Sequence, residues 1–274
     1  MEGIFTCEKV RENIISIMDP GGVRAFLIKG TQKAALIDTC CGLGNLKKLA
    51  EEMTDLPLIV LCTHGHVDHA GGAYGFDKVY LNKEDWDLAA ESTTVESRVE
   101  FVNSSSSEPH YAIDYYIPQR KGDYQNMEDG QIFDLGGITL ESIAVKGHTQ
   151  GTMCFLIKEY RSLILGDACN PFTFLFFDEA TDIRTFMESL KRLEKRYEDF
   201  DCVWFSHGAV EGPKSVISTV LDVCEEILSG KDDAVPMEFL GRHGIIAKAV
   251  DETNTRLDGK IGNVVYSVEK LEKA

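Results

Sequence analysis

Short apolar runs recur along the chain, separated by turns that contain glycine, proline, asparagine or aspartate. Runs of this kind, rich in branched residues, are typical of buried β-strands. The pattern predicts strands over residues 13–18, 24–29, 34–38, 58–62, 79–81, 131–135, 138–145, 154–158, 162–165, 201–205, 244–250 and 263–268.

Apolar residues at helical spacing predict helices between these strands. The predicted helices are residues 45–53, about 83–91, 182–197 and a last one that starts at 213. Asn45 and Asp182 are the expected N-caps, and Pro213 suits a first helical position. Strands that alternate with helices indicate an α/β fold.

The stretch from about 92 to 125 has no clear periodicity and contains a run of serines followed by several tyrosines. Two interpretations stay open: an insertion that folds over the functional site, or a solvated connection. His110, within this stretch, is predicted to lie at the surface.

A repeat relates the two halves of the chain. The tetrad Phe-Leu-Ile-Lys occurs at 26–29 and again at 155–158. Each copy is followed by an aspartate, a helix and a strand that ends in histidine. The paired residues are Asp38 with Asp167 and His64 with His207. Short apolar matches also arise by chance, but the shared order favours a duplication and predicts two similar layered halves.

A cluster of histidines follows the predicted strand 58–62. His64, His66, Asp68 and His69 lie within six residues, and imidazole and carboxylate are ligands that divalent transition metals prefer. His64 and His66 can point to the same side of an extended segment, which leaves Asp68 and His69 to face a second ion. The alternative is an adventitious histidine-rich tract. The position at a strand end favours a specific metal site.

Three further candidate ligands, His148, Asp167 and His207, also stand at the ends of predicted strands. Strand ends at one rim of a sheet pair can gather residues that are distant in sequence. Together with the first cluster they supply more ligands than one tetrahedral site needs. This number of ligands suits two metal ions that share a carboxylate.

The composition of the chain argues against some classes of binding partner. The net charge of −17 makes nucleic acid a poor partner, because phosphate backbones are repelled. No apolar run approaches the ~20 residues of a membrane span. The first residues lack the pattern of a signal peptide. The eight cysteines show no CxxC spacing, which argues against a zinc knuckle or a thioredoxin-type pair. A thiol-rich chain without an export signal predicts a reducing, cytoplasmic location.

The sequence resembles the metallo-β-lactamase superfamily of metal-dependent hydrolases. The resemblance rests on His64-Gly65-His66-Val67-Asp68-His69, Gly147-His148-Thr149, Leu165-Gly166-Asp167 and Ser206-His207-Gly208. It implies a four-layer αββα sandwich of two mixed β-sheets with outer helices. We expect a single domain over residues 1–274, with an insertion at about 92–125 and a helix plus two strands from about 213.

The resemblance also implies the ligand sets. The first metal would be bound by His64, His66 and His148, and the second by Asp68, His69 and His207, with Asp167 as the bridge. Asp38 is assigned to the second shell; the alternative is a cap at the strand end.

The implied reaction is hydrolysis of a small ester, thioester, lactone or amide by a hydroxide that bridges two divalent ions. Zn²⁺ is expected, with iron or manganese as alternatives. Asp68 is the candidate catalytic residue that orients the nucleophile and passes a proton. The partner is a small-molecule substrate, and the oligomeric state is left open, with a homodimer as one option.

Two other functions stay open. One is an oxidoreductase resembling persulfide dioxygenases, with one iron on His64, His148 and Asp167. The other is a metabolite- or metal-binding protein without turnover. Phe172 and Phe174, which follow Asp167, are candidates for an apolar substrate pocket. His243 is a further candidate from the C-terminal segment, with a surface loop position as the alternative.

Overall fold

Two large β-sheets face each other in the computed structural model, which describes residues 3–105, 111–239 and 241–271. His110 lies outside these residues. The strands are β1 (Thr6–Arg11), β2 (Ile14–Met18), β3 (Arg24–Lys29), β4 (Ala34–Ile37), β5 (Leu58–Leu61), β6 (Val79–Leu81), β7 (Gln125–Asn126), β8 (Ile132–Asp134), β9 (Thr139–Ala144), β10 (Met153–Ile157), β11 (Ser162–Gly166), β12 (Thr173–Leu175), β13 (Cys202–Phe205), β14 (Glu211–Pro213), β15 (Val235–Phe239), β16 (Arg242–Ile246) and β17 (Val264–Tyr266). The helices are α1 (Leu46–Met53), α2 (Val67–Ala70), α3 (Trp86–Ser92), α4 (Val95–Ser105), α5 (Ile183–Glu194) and α6 (Val216–Leu228).

The first sheet holds strands β1 to β7 in chain order, and the second has the order β14-β13-β11-β10-β9-β8. In the first sheet β3 and β4 are antiparallel and β4 and β5 are parallel. In the second, β10 and β11 are antiparallel and β11 and β13 are parallel. The units β3-β4-α1-β5 and β10-β11-α5-β13 therefore share one pattern of pairing, as the sequence repeat predicts.

Strand β3 shows why both faces of the sheets are apolar. Phe26 and Ile28 point into the core between the sheets, where the ring of Phe26 stacks on Trp204 at a centroid distance of 5.7 Å. Ala25 and Leu27 point to the opposite face, which the helices of the first half cover. A strand buried on both faces appears in sequence as a continuous apolar run. The predicted αββα sandwich is confirmed.

The helix starts agree with the predicted caps, with one exception. The side chains of Asn45 and Asp182 each accept a hydrogen bond at 2.9 Å from the backbone N–H three residues further on. The last predicted helix begins at Val216 rather than at Pro213. Pro213 instead pairs with Cys202 and ends strand β14.

A smaller sheet in the order β12-β17-β16-β15 carries most of the C-terminal segment. Three strands, β15 to β17, follow α6 in the described chain, whereas the sequence predicted two. Strand β15 was missed because its side chains alternate between partly buried and exposed positions and because it contains Pro236. It therefore lacks the apolar run that identifies a buried strand. Strand β1 was missed for a similar reason, since it is a largely exposed strand at the sheet edge.

Much of the stretch from 92 to 125 is ordered against helix α2. The buried Arg98 of α4 donates hydrogen bonds to the carbonyl oxygens of Gly71, at 3.2 Å, and Ile117, at 2.8 Å. The segment thus packs beside the helix that carries Asp68 and His69. Within the described ranges, no helix has the length and apolar composition needed to cross a bilayer.

Candidate metal centre

The seven predicted ligands come together at one rim of the two facing sheets. They are delivered by the segment after β5, the loop between β9 and β10, and the residues that follow β11 and β13. Potential ligand atoms lie within 4.8 Å of one another in three groups. The first group is His64 with His66 and His148, and the second group is Asp68 with His69 and His207. A third group, His64 with His69 and Asp167, shares a histidine with each of the other two.

The first group consists of three imidazoles whose nitrogens face each other. His66 Nδ1 lies 3.1 Å from His64 Nε2 and 2.8 Å from His148 Nε2. A tetrahedral site with bonds of about 2.1 Å holds its ligand atoms about 3.4 Å apart. The observed separations are therefore of the size expected for ligands around one cation.

The opposite nitrogen of each ring in this group is held by a hydrogen-bond acceptor. His148 Nδ1 donates to the carbonyl oxygen of Phe174 at 2.7 Å, and His66 Nε2 donates to the carboxylate of Glu179 at 2.6 Å. His64 Nδ1 donates at 3.0 Å to Thr63 Oγ1, whose own proton goes to a carboxylate. These contacts place the proton of each neutral ring away from the centre. The lone pairs of His64, His66 and His148 are thus directed inward.

The second group combines a carboxylate with two imidazoles. Asp68 Oδ2 lies 3.3 Å from His207 Nε2 and 3.5 Å from His69 Nε2. His69 Nδ1 donates to Asp38 at 2.8 Å, whereas His69 Nε2 is buried without a hydrogen-bond partner. A buried polar atom of this kind needs an explanation, and a cation at the centre supplies one. The residues present therefore fit a metal ion.

One oxygen of Asp167 stands between the groups. Asp167 Oδ2 lies 3.5 Å from His207 Nε2, 3.6 Å from His69 Nε2 and 3.7 Å from His148 Nε2. The same carboxylate thus faces ligands of both groups, which is the position that a shared ligand would occupy.

The electrostatics of the first group keep the imidazoles of His64 and His148 neutral. Burial lowers the pKa of His64 well below its usual value and lowers that of His148 to about 4. The neighbouring imidazoles act in the same direction on both rings. Neutral imidazole is the form that binds a metal.

The second group has the opposite balance. Burial alone would lower the pKa of His69 and His207, but the surrounding aspartates raise it well above the usual value for His69 and to about 10 for His207. These histidines carry protons in the metal-free protein. The protons offset the charge of Asp68 and Asp167, and a metal ion would take over that role.

Asp38 contacts a candidate ligand but is outside the three groups. Its carboxylate accepts from His69 Nδ1 at 2.8 Å and from the backbone N–H of Thr63 at 2.7 Å. The first contact fits a second-shell role, and the second also closes the end of strand β4. Asp38 adopts a positive φ of 61°, which is uncommon for a residue other than glycine.

Glu179 was missed by the sequence analysis. It follows the aromatic stretch after β12 and meets His66 across 113 positions of the chain. Burial would raise its pKa, but the hydrogen bond from His66 together with the other groups around the carboxylate lowers it to about 2. Its only local signal is that it belongs to an acidic pair, Asp178 and Glu179, directly after an aromatic stretch.

Asp85 was missed as well. The buried carboxylate accepts hydrogen bonds from the backbone N–H groups of Gly65 at 3.0 Å and Gly151 at 2.8 Å, and from Thr149 Oγ1 at 2.6 Å. Gly65 lies between His64 and His66, and the other two partners follow His148. Asp85 therefore ties together the two loops that form the first group.

The three candidate pocket residues are placed differently. Phe174 is partly buried beside the first group, where its carbonyl contacts His148. Phe172 is partly buried just before β12. His243 is exposed on β16, where Arg242 and Gly244, its neighbours, are the residues that face aromatic rings. Because side chains alternate along a strand, His243 points away from those rings.

The family model described as the metallo-beta-lactamase superfamily matches residues 18–197, well over half of the chain. The chain belongs to this superfamily. The four motifs that suggested the resemblance supply the residues that meet at the rim. The superfamily and the histidine and aspartate groups together support a metal-dependent hydrolase.

Two proteins described as thioesterases resemble this chain at low identity. Acyl-coenzyme A thioesterase MBLAC2 from Homo sapiens is 28% identical over 159 residues, which are 52% of this chain and 56% of that protein. Atrochrysone carboxyl ACP thioesterase from Claviceps purpurea is 24% identical over 216 residues, which are 74% of this chain and 58% of that protein. The matches thus span little more than half the length of these relatives.

Solved structures of the superfamily share the fold. A metallo-beta-lactamase from Pontibacter korlensis superposes with a TM-score of 0.61 at 19% identity, covering 81% of this chain and 99% of that one. At this identity the likeness concerns the arrangement of sheets and helices alone.

Proposed function

We propose that this protein is a binuclear metal-dependent hydrolase that cleaves small-molecule thioesters. The observation that carries the proposal is the pair of ligand groups that meet at Asp167 Oδ2. Two relatives whose names describe them as thioesterases favour a thioester over the esters, lactones and amides that the same centre would also suit.

The geometry supports the ligand assignment that the resemblance implies. His64, His66 and His148 would hold one ion, and Asp68, His69 and His207 would hold the other, with Asp167 as the shared ligand. The ions, which we expect to be Zn²⁺ with iron or manganese as alternatives, lower the pKa of water and polarise a carbonyl group when bound.

The remaining steps belong to the protein. Asp68 orients the attacking water and passes on its proton. Water adds to the carbonyl carbon and the C–S bond breaks, which yields a carboxylic acid and a thiol that leaves with a proton. His207 has the most exposed side chain of the seven candidate ligands, at 35%, so substrate is expected to approach from its side.

The test joins metal analysis with a thioester assay. The purified protein is expected to hold about two divalent ions and to hydrolyse S-acetyl-N-acetylcysteamine. Activity should be lost on chelation and regained with Zn²⁺. Hydrolysis should be followed by the loss of thioester absorbance, because the exposed Cys7 would react with thiol reagents.

The variant Asp167→Asn is expected to lower both metal content and turnover. Asp87→Asn, an exposed position on α3, is the matched control and should change neither. Hydrolysis that persists after complete metal removal would contradict the proposal. A single bound iron, with oxygen uptake in the presence of glutathione persulfide, would favour the dioxygenase-like alternative.

A further inference from the structure

An aromatic surface begins directly at the first ligand group. The carbonyl of Phe174 holds His148, and the ring of Phe177 lies 6.0 Å from that of His66, edge to face. Any group attached to a carbonyl at the centre and directed to this side would meet these rings first.

The surface continues away from the ligands as connected rings. Phe174 lies 5.2 Å from Phe239 and 5.4 Å from Phe176, which in turn stacks on Phe177 at 4.3 Å. Phe176 is buried, whereas Phe174, Phe177 and Phe239 are partly buried. The connected rings form a continuous apolar wall.

The far part of the wall comes from the smaller sheet. Phe239 and Arg242 are paired across β15 and β16 and so lie on the same face. Phe239 packs on Phe174, and the guanidinium of Arg242 covers the ring of Phe177 at 5.5 Å while it contacts Asp178 at 3.1 Å. Strands β15 and β16 lie beyond the region that matches the superfamily. The wall is therefore built partly from a segment outside the shared domain.

We propose that this wall, formed by Phe174, Phe177 and Phe239, binds the acyl chain of the thioester and selects uncharged apolar acyl groups. The inference rests on the proposed function. The charges at the wall support an uncharged acyl group: Arg242 is already paired with Asp178, and Glu179 is held by His66. A terminal carboxylate on the acyl chain would lie near two acids and meet a cation that already has a partner.

The expected effect follows from the area that each methylene would bury. A fully buried methylene favours binding about fourfold, and a wall that covers one side gives about twofold. Six additional methylenes, from acetyl to octanoyl, are then expected to raise kcat/KM about 60-fold.

The experiment compares acetyl, butanoyl, hexanoyl and octanoyl thioesters of N-acetylcysteamine with the zinc-loaded protein. The measured quantity is the octanoyl-to-acetyl ratio of kcat/KM for each variant. Phe239→Ala is expected to lower this ratio about tenfold, because it removes the far ring of the wall. Phe239→Leu, which restores apolar bulk, should recover most of it. Leu257→Ala, at a side chain 70% exposed and outside the wall, should leave the ratio unchanged.

The experiment gives different results if the wall does not bind the acyl chain and if the protein does not hydrolyse thioesters. If all four thioesters are cleaved at similar rates, or if Phe239→Ala keeps the wild-type ratio, the wall does not bind the acyl chain. If no thioester is cleaved, the proposed function fails, and calorimetric titration of the metal-free protein with octanoate and butanoate then tests the wall alone. Tighter binding of octanoate that is lost in Phe239→Ala would support the wall, and equal binding of the two acids would overturn it.

Discussion

Replacement of Glu179 by glutamine tests how the protein holds His66. A neutral imidazole carries one proton, and the 2.6 Å contact with Glu179 keeps that proton on Nε2. The lone pair of Nδ1 then faces His64 and His148. A glutamine amide can donate as well as accept, so Glu179→Gln also permits the tautomer whose proton points at the metal.

The size of the effect can be estimated from comparable contacts. Loss of an outer-shell partner typically weakens metal binding 10- to 100-fold, which corresponds to about 1.4–2.7 kcal/mol. The His66 side chain is 14% exposed and that of Glu179 is 25% exposed. Because the pair is only partly shielded from water, we expect a value near the lower end, about tenfold.

The assay is a competition titration for Zn²⁺ between the metal-free protein and a chromophoric chelator at fixed pH. It measures affinity without relying on turnover. Glu188→Gln, at an exposed position on α5, is the matched control and should bind like the wild type. Thermal unfolding of the metal-free proteins establishes that both variants are folded. Wild-type affinity in a folded Glu179→Gln protein would refute the idea that this contact orients His66.

Three further predictions concern the same centre. Asp85→Ala leaves the buried backbone N–H groups of Gly65 and Gly151 without an acceptor, and it leaves Thr149 Oγ1 with Thr152 Oγ1 as its partner. The variant is expected to destabilise the protein by about 3 kcal/mol, measured by denaturant unfolding, and an unchanged midpoint would show that the loops do not depend on this carboxylate. Asp68→Asn is expected to lower kcat on an acetyl thioester about 10²- to 10⁴-fold, and a smaller loss at full metal content would exclude a role in proton transfer. Zn²⁺ affinity is expected to rise with pH, by about tenfold per pH unit for each proton that the metal displaces. The reason is that the pKa of His207 is raised to about 10 and that of His69 is also raised, so both rings are protonated in the metal-free protein at neutral pH. Affinity that does not change between about pH 6 and 8, or titration without proton release, would contradict this assignment.

Several features could be predicted because they depend on neighbouring residues in the chain. The continuous apolar runs identify strands buried on both faces. The side chains of Asn45 and Asp182 cap helices by accepting hydrogen bonds from the backbone N–H groups three residues further on. The His64-x-His66-x-Asp68-His69 cluster is recognisable by its spacing after a strand. The αββα sandwich is implied by the resemblance to the superfamily, and the repeat agrees with it by predicting two similar layered halves.

Other features have no local signal. Strand β15 alternates and contains a proline, so its pairing with β16 depends on the partner strand rather than on its own composition. The contact between His66 and Glu179 joins residues 113 positions apart. The sequence suggested His243 as a candidate residue of the substrate pocket. The strand register instead turns Arg242 toward the ring of Phe177 and Gly244 toward the ring of Phe176.

Residue types and their spacing were enough to identify strands, caps and candidate metal ligands, since burial and capping impose patterns on residues that are close together in the chain. The packing of the sheets decided which nitrogen of each histidine faces the centre, that Glu179 and Asp85 hold the ligand loops, and that Phe239 extends the aromatic wall. These contacts depend on where strand ends meet in space, and a residue's neighbours across a sheet are set by register and packing rather than by its position in the chain.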